Sequence, residues 1–183
     1  GGDALLVLDI GSDLNALVVF KEPATGAPRL ACSSWDREVR VFDAVSGGDA
    51  LLVLDVGSVV FALVVFKDRA TDALRLASGS KDKKVRVFDP VAGGEALVVL
   101  EGHTRDVEAL AAFVDPATGE PRLVSGSNDS TVRVWNPAAG GAAIEAEPEG
   151  HSREVSALVT FADAATGALR VATGSEDETI RVS

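Results

Sequence analysis

The chain repeats itself from one end to the other. Four units align over residues 1–46, 47–92, 93–139 and 140–183, and together they account for the whole sequence. Equivalent arginines fall 46, 47 and 48 residues apart, at Arg40, Arg86, Arg133 and Arg181. A repeat of this length is one supersecondary unit that buries its apolar face only against its neighbours. The sequence therefore predicts a single domain, residues 1–183, built of four stacked units.

Each unit contains four short segments rich in β-branched and apolar residues, which is typical of strands. In the first unit they are ALLVLD, NALVVF, RLACS and EVRVFD. A link such as EPATGAPR or DPATGEPR joins the second segment to the third, and a tight turn containing Asp joins the third to the fourth. No segment has a helical period. The pattern predicts an all-β fold, a β-propeller of four-stranded antiparallel blades with four blades per chain. The runs ALVVF, ALVVF, ALAAF and ALVTF are the predicted innermost strands.

Composition and charge exclude several kinds of site. The longest apolar run, residues 59–66, is far shorter than the roughly 20 residues of a membrane helix, so no membrane partner is expected. A net charge of -11 argues against nucleic acid as a partner. Cys32 is the single cysteine, which excludes a disulfide framework, and two histidines in different units make a poor zinc site. We therefore expect no metal and no cofactor. No leader is visible, so localisation is unknown, with cytoplasm or nucleus as the default.

The third unit carries an ordered set of motifs. They are EGH at residues 101–103, SGSND at 125–129 and VRVWN at 132–136. In this order the motifs resemble the WD-repeat family of β-propellers, with one degenerate repeat per unit. The resemblance implies that a buried tetrad of His, Ser or Thr, Asp and Trp clamps each blade by hydrogen bonds. The matching residues are His103, Ser125, Asp129 and Trp135, with Ser127 as the alternative hydroxyl.

The other three units depart from this pattern. Trp35-Asp36 is not the signature dipeptide, because the alignment puts Phe42-Asp43 at that position. The partial tetrads are Asp36 in the first unit, Ser78 and Asp82 in the second, and His151, Thr173 and Asp177 in the fourth. We expect the first two units to avoid unpaired buried groups by becoming apolar, so that Phe88→Trp brings no gain. The fourth unit ends at Ser183, where the Trp should stand, and we expect it to form the loosest blade.

Three classes of function follow from these residues. The sets His103, Ser125, Asp129 and His151, Thr173, Asp177 contain the residue types of a hydrolytic triad. However, they recur at the repeat period and no nucleophile elbow or phosphate-binding glycine loop accompanies them, so we predict that the protein is not an enzyme. The resemblance implies instead a scaffold that binds proteins or peptides. The third class is an engineered or excised repeat protein with no evolved ligand.

The rim that carries the tight turns is the predicted partner-binding surface, because a rigid scaffold positions such loops for binding. Its candidate residues are Trp35, Lys81, Asn128 and Glu176 just before each turn Asp, with Arg105 and Arg153 in the loops before the innermost strands. An exposed Trp is typical of interface hot spots, so Trp35 stands out. The alternative is that Trp35 packs over the neighbouring blade.

The number of blades in the ring is left open by the sequence. Residues 3–9 are expected to form an outermost strand without an earlier partner, while IRVS at 180–183 needs one, so we expect the two to pair. The resemblance implies rings of about seven or eight blades. Two chains related by a two-fold axis would give a homodimer with an eight-bladed ring. A four-bladed monomer and one half of a longer propeller are the alternatives.

Overall fold

The computed structural model of the protein describes residues 4–147 and 150–183, and in these residues all regular structure is β-strand. The strands form four antiparallel sheets, each numbered here as a blade. Blade 1 is β1 (Leu14–Lys21), β2 (Pro28–Ser34), β3 (Glu38–Asp43) and β4 (Leu52–Asp55). Blade 2 is β5 (Val60–Lys67), β6 (Leu74–Ser80), β7 (Val85–Phe88) and β8 (Val98–Leu100). Blade 3 is β9 (Val107–Val114), β10 (Pro121–Ser127), β11 (Val132–Trp135) and β12 (Glu145–Glu147). Blade 4 is β13 (Val155–Ala162), β14 (Leu169–Ser175) and β15 (Ile180–Val182).

The predicted all-β fold of four-stranded antiparallel blades is confirmed for blades 1 to 3. Blade boundaries do not coincide with unit boundaries. β4 belongs to the second unit of the sequence, yet it pairs with β3, and Val39 lies opposite Leu54. Each complete blade therefore takes its outermost strand from the following unit. Blade 4 has three strands among the described residues.

The turn between the second and third strands of each blade has the same backbone conformation. The residue after the turn Asp has a positive φ in all four blades, at Arg37, Lys83, Ser130 and Glu178, with values from 66° to 74°. In blade 1 the Asp36 carboxylate accepts hydrogen bonds from Ser34 Oγ at 2.6 Å and from the Glu38 amide at 3.1 Å. The side chain of the Asp therefore stabilises the tight turn, as its sequence predicts.

Each innermost strand begins with a β-bulge. The register shifts between Leu14 and Ala16, between Val60 and Ala62, and between Val155 and Ala157, and the same shift occurs in β9. The extra residue is Asn15, Phe61, Glu108 or Ser156 in blades 1 to 4. A bulge bends the strand and redirects the side chain of the extra residue. The bulges lie next to the tight turns, at the same end of each blade.

The apolar core lies between neighbouring blades. One buried cluster joins blades 1 and 2 and contains Phe20, Val41, Val60, Leu76 and Phe88. A second cluster joins blade 2 to blade 3, and a third joins blade 3 to blade 4. Blades approach closely at two glycines. A Cβ on Gly79 would lie 2.8 Å from Val107 Cγ1, and a Cβ on Gly126 would lie 2.7 Å from Val155 Cγ1. These positions need glycine because the neighbouring blade fills the space of a side chain.

The row of blades has two uncovered ends. The innermost strands contact one another in the order β1, β5, β9 and β13. Leu17 and Val19 of β1 are exposed, and we call them the open face of blade 1. At the other end the exposed residues are Val159, Phe161, Ile180 and Val182, which we call the open face of blade 4. Their equivalents in the inner blades, such as Leu63 and Val134, pack between blades.

The predicted pairing of residues 3–9 with residues 180–183 is not present in the single chain. Residue 3 lies outside the described residues, and residues 4–9 form no strand. β15 pairs only with β14 among the described residues. The physical reason is that β15 lies at the opposite end of the row. Residues 4–10 instead lie against blade 1, where Leu6, Leu8 and Ile10 line a cavity of about 330 Å³ next to Phe42.

Candidate functional site

The structure brings His103, Ser125, Asp129 and Trp135 together inside blade 3. His103 Nδ1 lies 2.9 Å from Asp129 Oδ2, and His103 Nε2 lies 2.7 Å from Ser125 Oγ. The Trp135 indole N–H donates to Ser125 Oγ at 2.8 Å. Ser127 has a different role, because its hydroxyl donates to the Arg105 carbonyl and accepts from the Asp129 amide. The four side chains form one continuous hydrogen-bonded chain across the blade.

Hydrogen bonds keep the Asp129 carboxyl group of this set ionised. Burial tends to raise the pKa of Asp129, but hydrogen bonds from His103, Thr131 and the Thr104 amide outweigh it and hold the pKa well below its usual range. With the ionised carboxylate accepting from Nδ1, Nε2 accepts the Ser125 hydroxyl proton. Ser125 and Trp135 are fully buried. The Ser125 hydroxyl is engaged on both sides, so this arrangement suits a structural clamp and not a nucleophile.

Blade 4 repeats most of this arrangement. His151 Nδ1 lies 2.9 Å from Asp177 Oδ2, and Nε2 lies 2.8 Å from Thr173 Oγ1. A hydrogen bond from Thr179, aided by the Ser152 amide and His151, lowers the pKa of Asp177 far below its usual range. Ser183 pairs with Val171 as Trp135 pairs with Leu123, so it occupies the position of the indole. A cavity of about 490 Å³, lined by Val134, Ile144, Val171 and Ser183 among others, lies at that position between blades 3 and 4.

The partial tetrads of blades 1 and 2 are not assembled. Asp36 pairs with Arg40 at 2.6 Å, and Cys32 occupies the hydroxyl position, where burial raises the pKa of its thiol. In blade 2 Asp82 accepts from Arg86, while Ser78 Oγ is buried and has no hydrogen-bond partner among the described residues. The expectation that blade 2 avoids unpaired groups is therefore wrong. Phe88 offers no donor, and the Ser78 hydroxyl remains after its histidine and indole partners have been replaced.

The six predicted rim residues lie in equivalent turns and loops at one end of the blades. The backbone amides of Trp35, Lys81, Asn128 and Glu176 each donate to a carbonyl in the loop before the innermost strand, at 2.8 to 3.1 Å. Arg105 and Arg153 lie in two of these loops, 3.7 Å from Glu154 and 3.6 Å from Glu176 respectively. Asn128 donates to Glu108, the bulge residue of blade 3. We call this end of the blades the turn rim.

Trp35 has one aromatic and one cationic neighbour, both from blade 2. Its ring lies 6.0 Å from the ring of Phe61, edge to face, and Lys81 Nζ lies 5.6 Å from the Trp35 ring centroid. Trp35 nevertheless keeps 50% of its surface exposed. The side chain therefore packs on the neighbouring blade, as one of the two alternatives predicts, and half of it remains accessible, while its role in partner binding stays a prediction. Sequence reasoning did not identify Phe61 as a residue of this rim. The signal was that the other units have the polar residues Asn15, Glu108 and Ser156 at the equivalent position.

In residues 4–147 and 150–183 no cluster of three or more His, Cys, Asp or Glu side chains is arranged to hold a metal ion. The described part of the chain also has no helix of the length and hydropathy that crossing a membrane requires.

Comparisons with known proteins agree with this architecture. The family described as WD domain, G-beta repeat matches residues 94–136. The crystal structure of the computationally designed Ika4 protein is 31% identical, with 100% of this chain and 98% of that chain covered and a TM-score of 0.72. The designed Ika8 protein is 32% identical, with 92% and 45% covered and a TM-score of 0.66. No match was found among curated proteins.

A natural assembly shares the fold at lower identity. A chain of an active polycomb repressive complex 2 in the basal state is 19% identical, with 98% of this chain and 39% of that chain covered and a TM-score of 0.73. The matched unit contains the complete hydrogen-bonded tetrad of blade 3, and the designed Ika4 protein matches over all four units. The chain therefore belongs to the WD-repeat family of β-propellers.

Proposed function

We propose that the protein is a non-catalytic scaffold whose first partner is a second copy of itself. Residues 1–183 form one propeller domain in this proposal, and two chains complete an eight-bladed ring. The observation that carries it is the pair of apolar open faces at the two ends of the blade row. The burial of the His103 and His151 sets supports the non-catalytic part, and the net charge of -11 argues against nucleic acid.

The two open faces are complementary because each repeats a face that is already paired inside the chain. Leu17 and Val19 are equivalent to Leu63 and Val65, which pack against blade 1. At the other end, Phe161 and Val182 are equivalent to Phe113 and Val134, which pack against blade 4. Blade 4 of one chain can therefore pack against blade 1 of the next chain as neighbouring blades pack within one chain. Large exposed apolar faces on a folded protein indicate such an interface.

The position of residues 4–10 also supports a partner at this end. Leu6 lies against Gly47 as Leu52 of β4 lies against Gly93. The segment therefore lies against blade 1 in the same way as β4, the outermost strand of blade 1, lies against blade 2. In a two-chain ring the segment would lie beside β15 of the other copy and supply the fourth strand of its blade. Closed two-fold assembly would then leave no free sheet edge.

Light scattering tests the assembly. We expect a mass of about twice 18.8 kDa for the purified protein. Leu17→Glu should give the monomer, because Leu17 is 58% exposed in the single chain and the charge would be buried only in the ring. Val45→Glu is the matched control, since Val45 is 72% exposed but lies outside both open faces. A wild-type monomer, or equal effects of the two variants, would contradict the proposal.

A second candidate is a repeat protein without an evolved ligand. The 31% identity to the designed Ika4 protein over the whole chain favours it. This candidate predicts ring formation but no binding at the turn rim. The unpaired Ser78 and the unassembled tetrads of blades 1 and 2 are irregularities that idealised designs avoid. A pull-down with the wild-type protein, Trp35→Ala and Val45→Ala separates the two candidates. A partner retained by wild type and Val45→Ala but lost by Trp35→Ala would support the evolved scaffold.

A further inference from the structure

We propose that the turn rim at the junction of blades 1 and 2 binds an acidic peptide segment that carries an apolar side chain. The site is formed by Trp35, Phe61, Lys81, Lys83 and Arg37. It is separate from the open faces, and it gives the scaffold a second protein partner.

The apolar part of the site consists of two aromatic rings from different blades. Phe61 is the bulge residue of β5, and the bulge directs it toward Trp35 in the β2–β3 turn. The turn that carries Trp35 is held by Asp36 and by the hydrogen bond from the Trp35 amide to the Asp13 carbonyl. The half-exposed indole is therefore presented by a fixed backbone. Rigid, partly exposed Trp side chains bind apolar groups with little loss of conformational entropy.

The charged part of the site consists of the cationic side chains of the two turns. Among the described residues, no carboxylate oxygen lies within 4.0 Å of the side-chain nitrogens of Arg37, Lys81 or Lys83. In contrast, Arg105 and Arg153 on blades 3 and 4 each lie near a glutamate. The carboxylates of the two turns are themselves paired, Asp36 with Arg40 and Asp82 with Arg86. These three cationic side chains are therefore available to the carboxylates of a ligand, although Asp13 lies in the loop beside Trp35 and the chain has a net charge of -11.

The arrangement fits a short acidic segment better than a nucleic acid. The cations of the two turns match a few carboxylates, and the exposed ring accepts one apolar side chain between them. A nucleic acid binds through many basic contacts along its phosphate backbone. It would extend over blades 3 and 4, which carry Glu154, Glu176 and Glu178 at the same rim. Local attraction by Lys81 and Lys83 acts within about one Debye length, roughly 10 Å at moderate salt, so distant acidic residues are screened.

The probe is a synthetic, fluorescein-labelled peptide in which one leucine is flanked on each side by glutamates. Its binding to the purified protein is followed by fluorescence anisotropy and by tryptophan emission. Trp135 is fully buried, so a change in tryptophan emission on binding reports on Trp35. Two peptides with serine or lysine in place of glutamate, and a single-stranded oligouridine, are titrated in parallel.

We expect saturable binding of the acidic peptide, with weaker binding as salt is raised. The double variant Lys81→Glu and Lys83→Glu should weaken it at least about tenfold, because the change reverses the local charge. The matched control, Lys21→Glu with Lys67→Glu at the ends of β1 and β5 far from the tight turns, should change affinity less than about twofold. Trp35→Ala should abolish the anisotropy change.

Several outcomes would overturn the inference. They are the absence of saturable binding by the acidic peptide, equal or tighter binding of the serine or lysine peptide or of the oligouridine, and equal effects of the two double variants. None of these outcomes alters the mass of the assembly in light scattering. Failure of the peptide site is therefore distinguishable from failure of the two-chain ring.

Discussion

Phe88→Trp should stabilise the protein, in contrast to the sequence-based expectation that it brings no gain because blade 2 lacks the histidine. Phe88 lies opposite Leu76 as Trp135 lies opposite Leu123, and Ser78 holds the position of Ser125. An indole at position 88 would therefore direct its N–H toward the Ser78 hydroxyl. That hydroxyl is buried and has no partner in the described part of the chain.

The size of the effect follows from two opposing terms. An unpaired buried hydroxyl costs about 1–3 kcal/mol, which the new hydrogen bond would recover in part. Overpacking a filled core costs about 1–3 kcal/mol, but here a cavity of about 330 Å³, lined by Val56, Gly57 and Phe88 among others, has room for the additional ring. We expect a net gain of about 1 kcal/mol in the free energy of unfolding.

Urea denaturation measures this gain as a higher midpoint at an unchanged slope. Phe42→Trp is the matched control, because Cys32 occupies the hydroxyl position in blade 1 and a thiol is a weak acceptor. Ser78→Ala should be neutral or stabilising by itself and should remove the benefit of Phe88→Trp when the two are combined. The reasoning would be refuted if Phe88→Trp gave the same change in the Ser78→Ala variant as in the native chain, or the same change as Phe42→Trp.

Three further predictions concern the clamps. Trp135→Phe should lower the free energy of unfolding by about 1–3 kcal/mol in urea denaturation, because Ser125 loses its donor in a fully buried position, and an unchanged midpoint would contradict this role. Ser183→Trp should raise hydrogen-exchange protection in β14, because the indole would fill the cavity beside Val171 and donate to Thr173. Unchanged protection would contradict the assignment of this cavity to the position that Trp135 fills in blade 3. Stability should fall as pH drops below about 4, because the folded state holds the pKa of Asp129 below its unfolded value and so favours the ionised form. Asp129→Asn should flatten this pH dependence of the urea midpoint, and an equally steep dependence would contradict it.

The repeat pattern predicts most of the fold because strands, turns and tetrads depend on residues within one or two units. The turn conformation follows from Asp36 and its equivalents, and the clamp of blade 3 follows from motifs that alignment identifies. The alignment shows that Ser78 has lost its histidine and indole partners. Whether another group replaces them could not be predicted, because that depends on how Phe88 and Val56 pack between blades 1 and 2.

Residues 4–9 illustrate the other limit of sequence reasoning. Their apolar pattern matches that of β4, yet they form no strand in the single chain, because strand formation depends on an available partner edge. Phe61 could not be assigned to the rim from its own unit, since its neighbour Trp35 comes from a different blade and the bulge decides where its ring points. Contacts between units, and not the periodicity, determine these features.

The offset between repeat units and blades has a consequence for length variation. Because each unit supplies three strands to its own blade and one strand to the blade before it, a duplication or deletion of any whole unit leaves every internal sheet complete. The new junction reproduces the pairing seen between Val39 and Leu54, whichever units become neighbours. The number of blades can therefore change without a compensating mutation at the new junction between units. Only the angle between neighbouring blades limits the number of blades with which a ring can close.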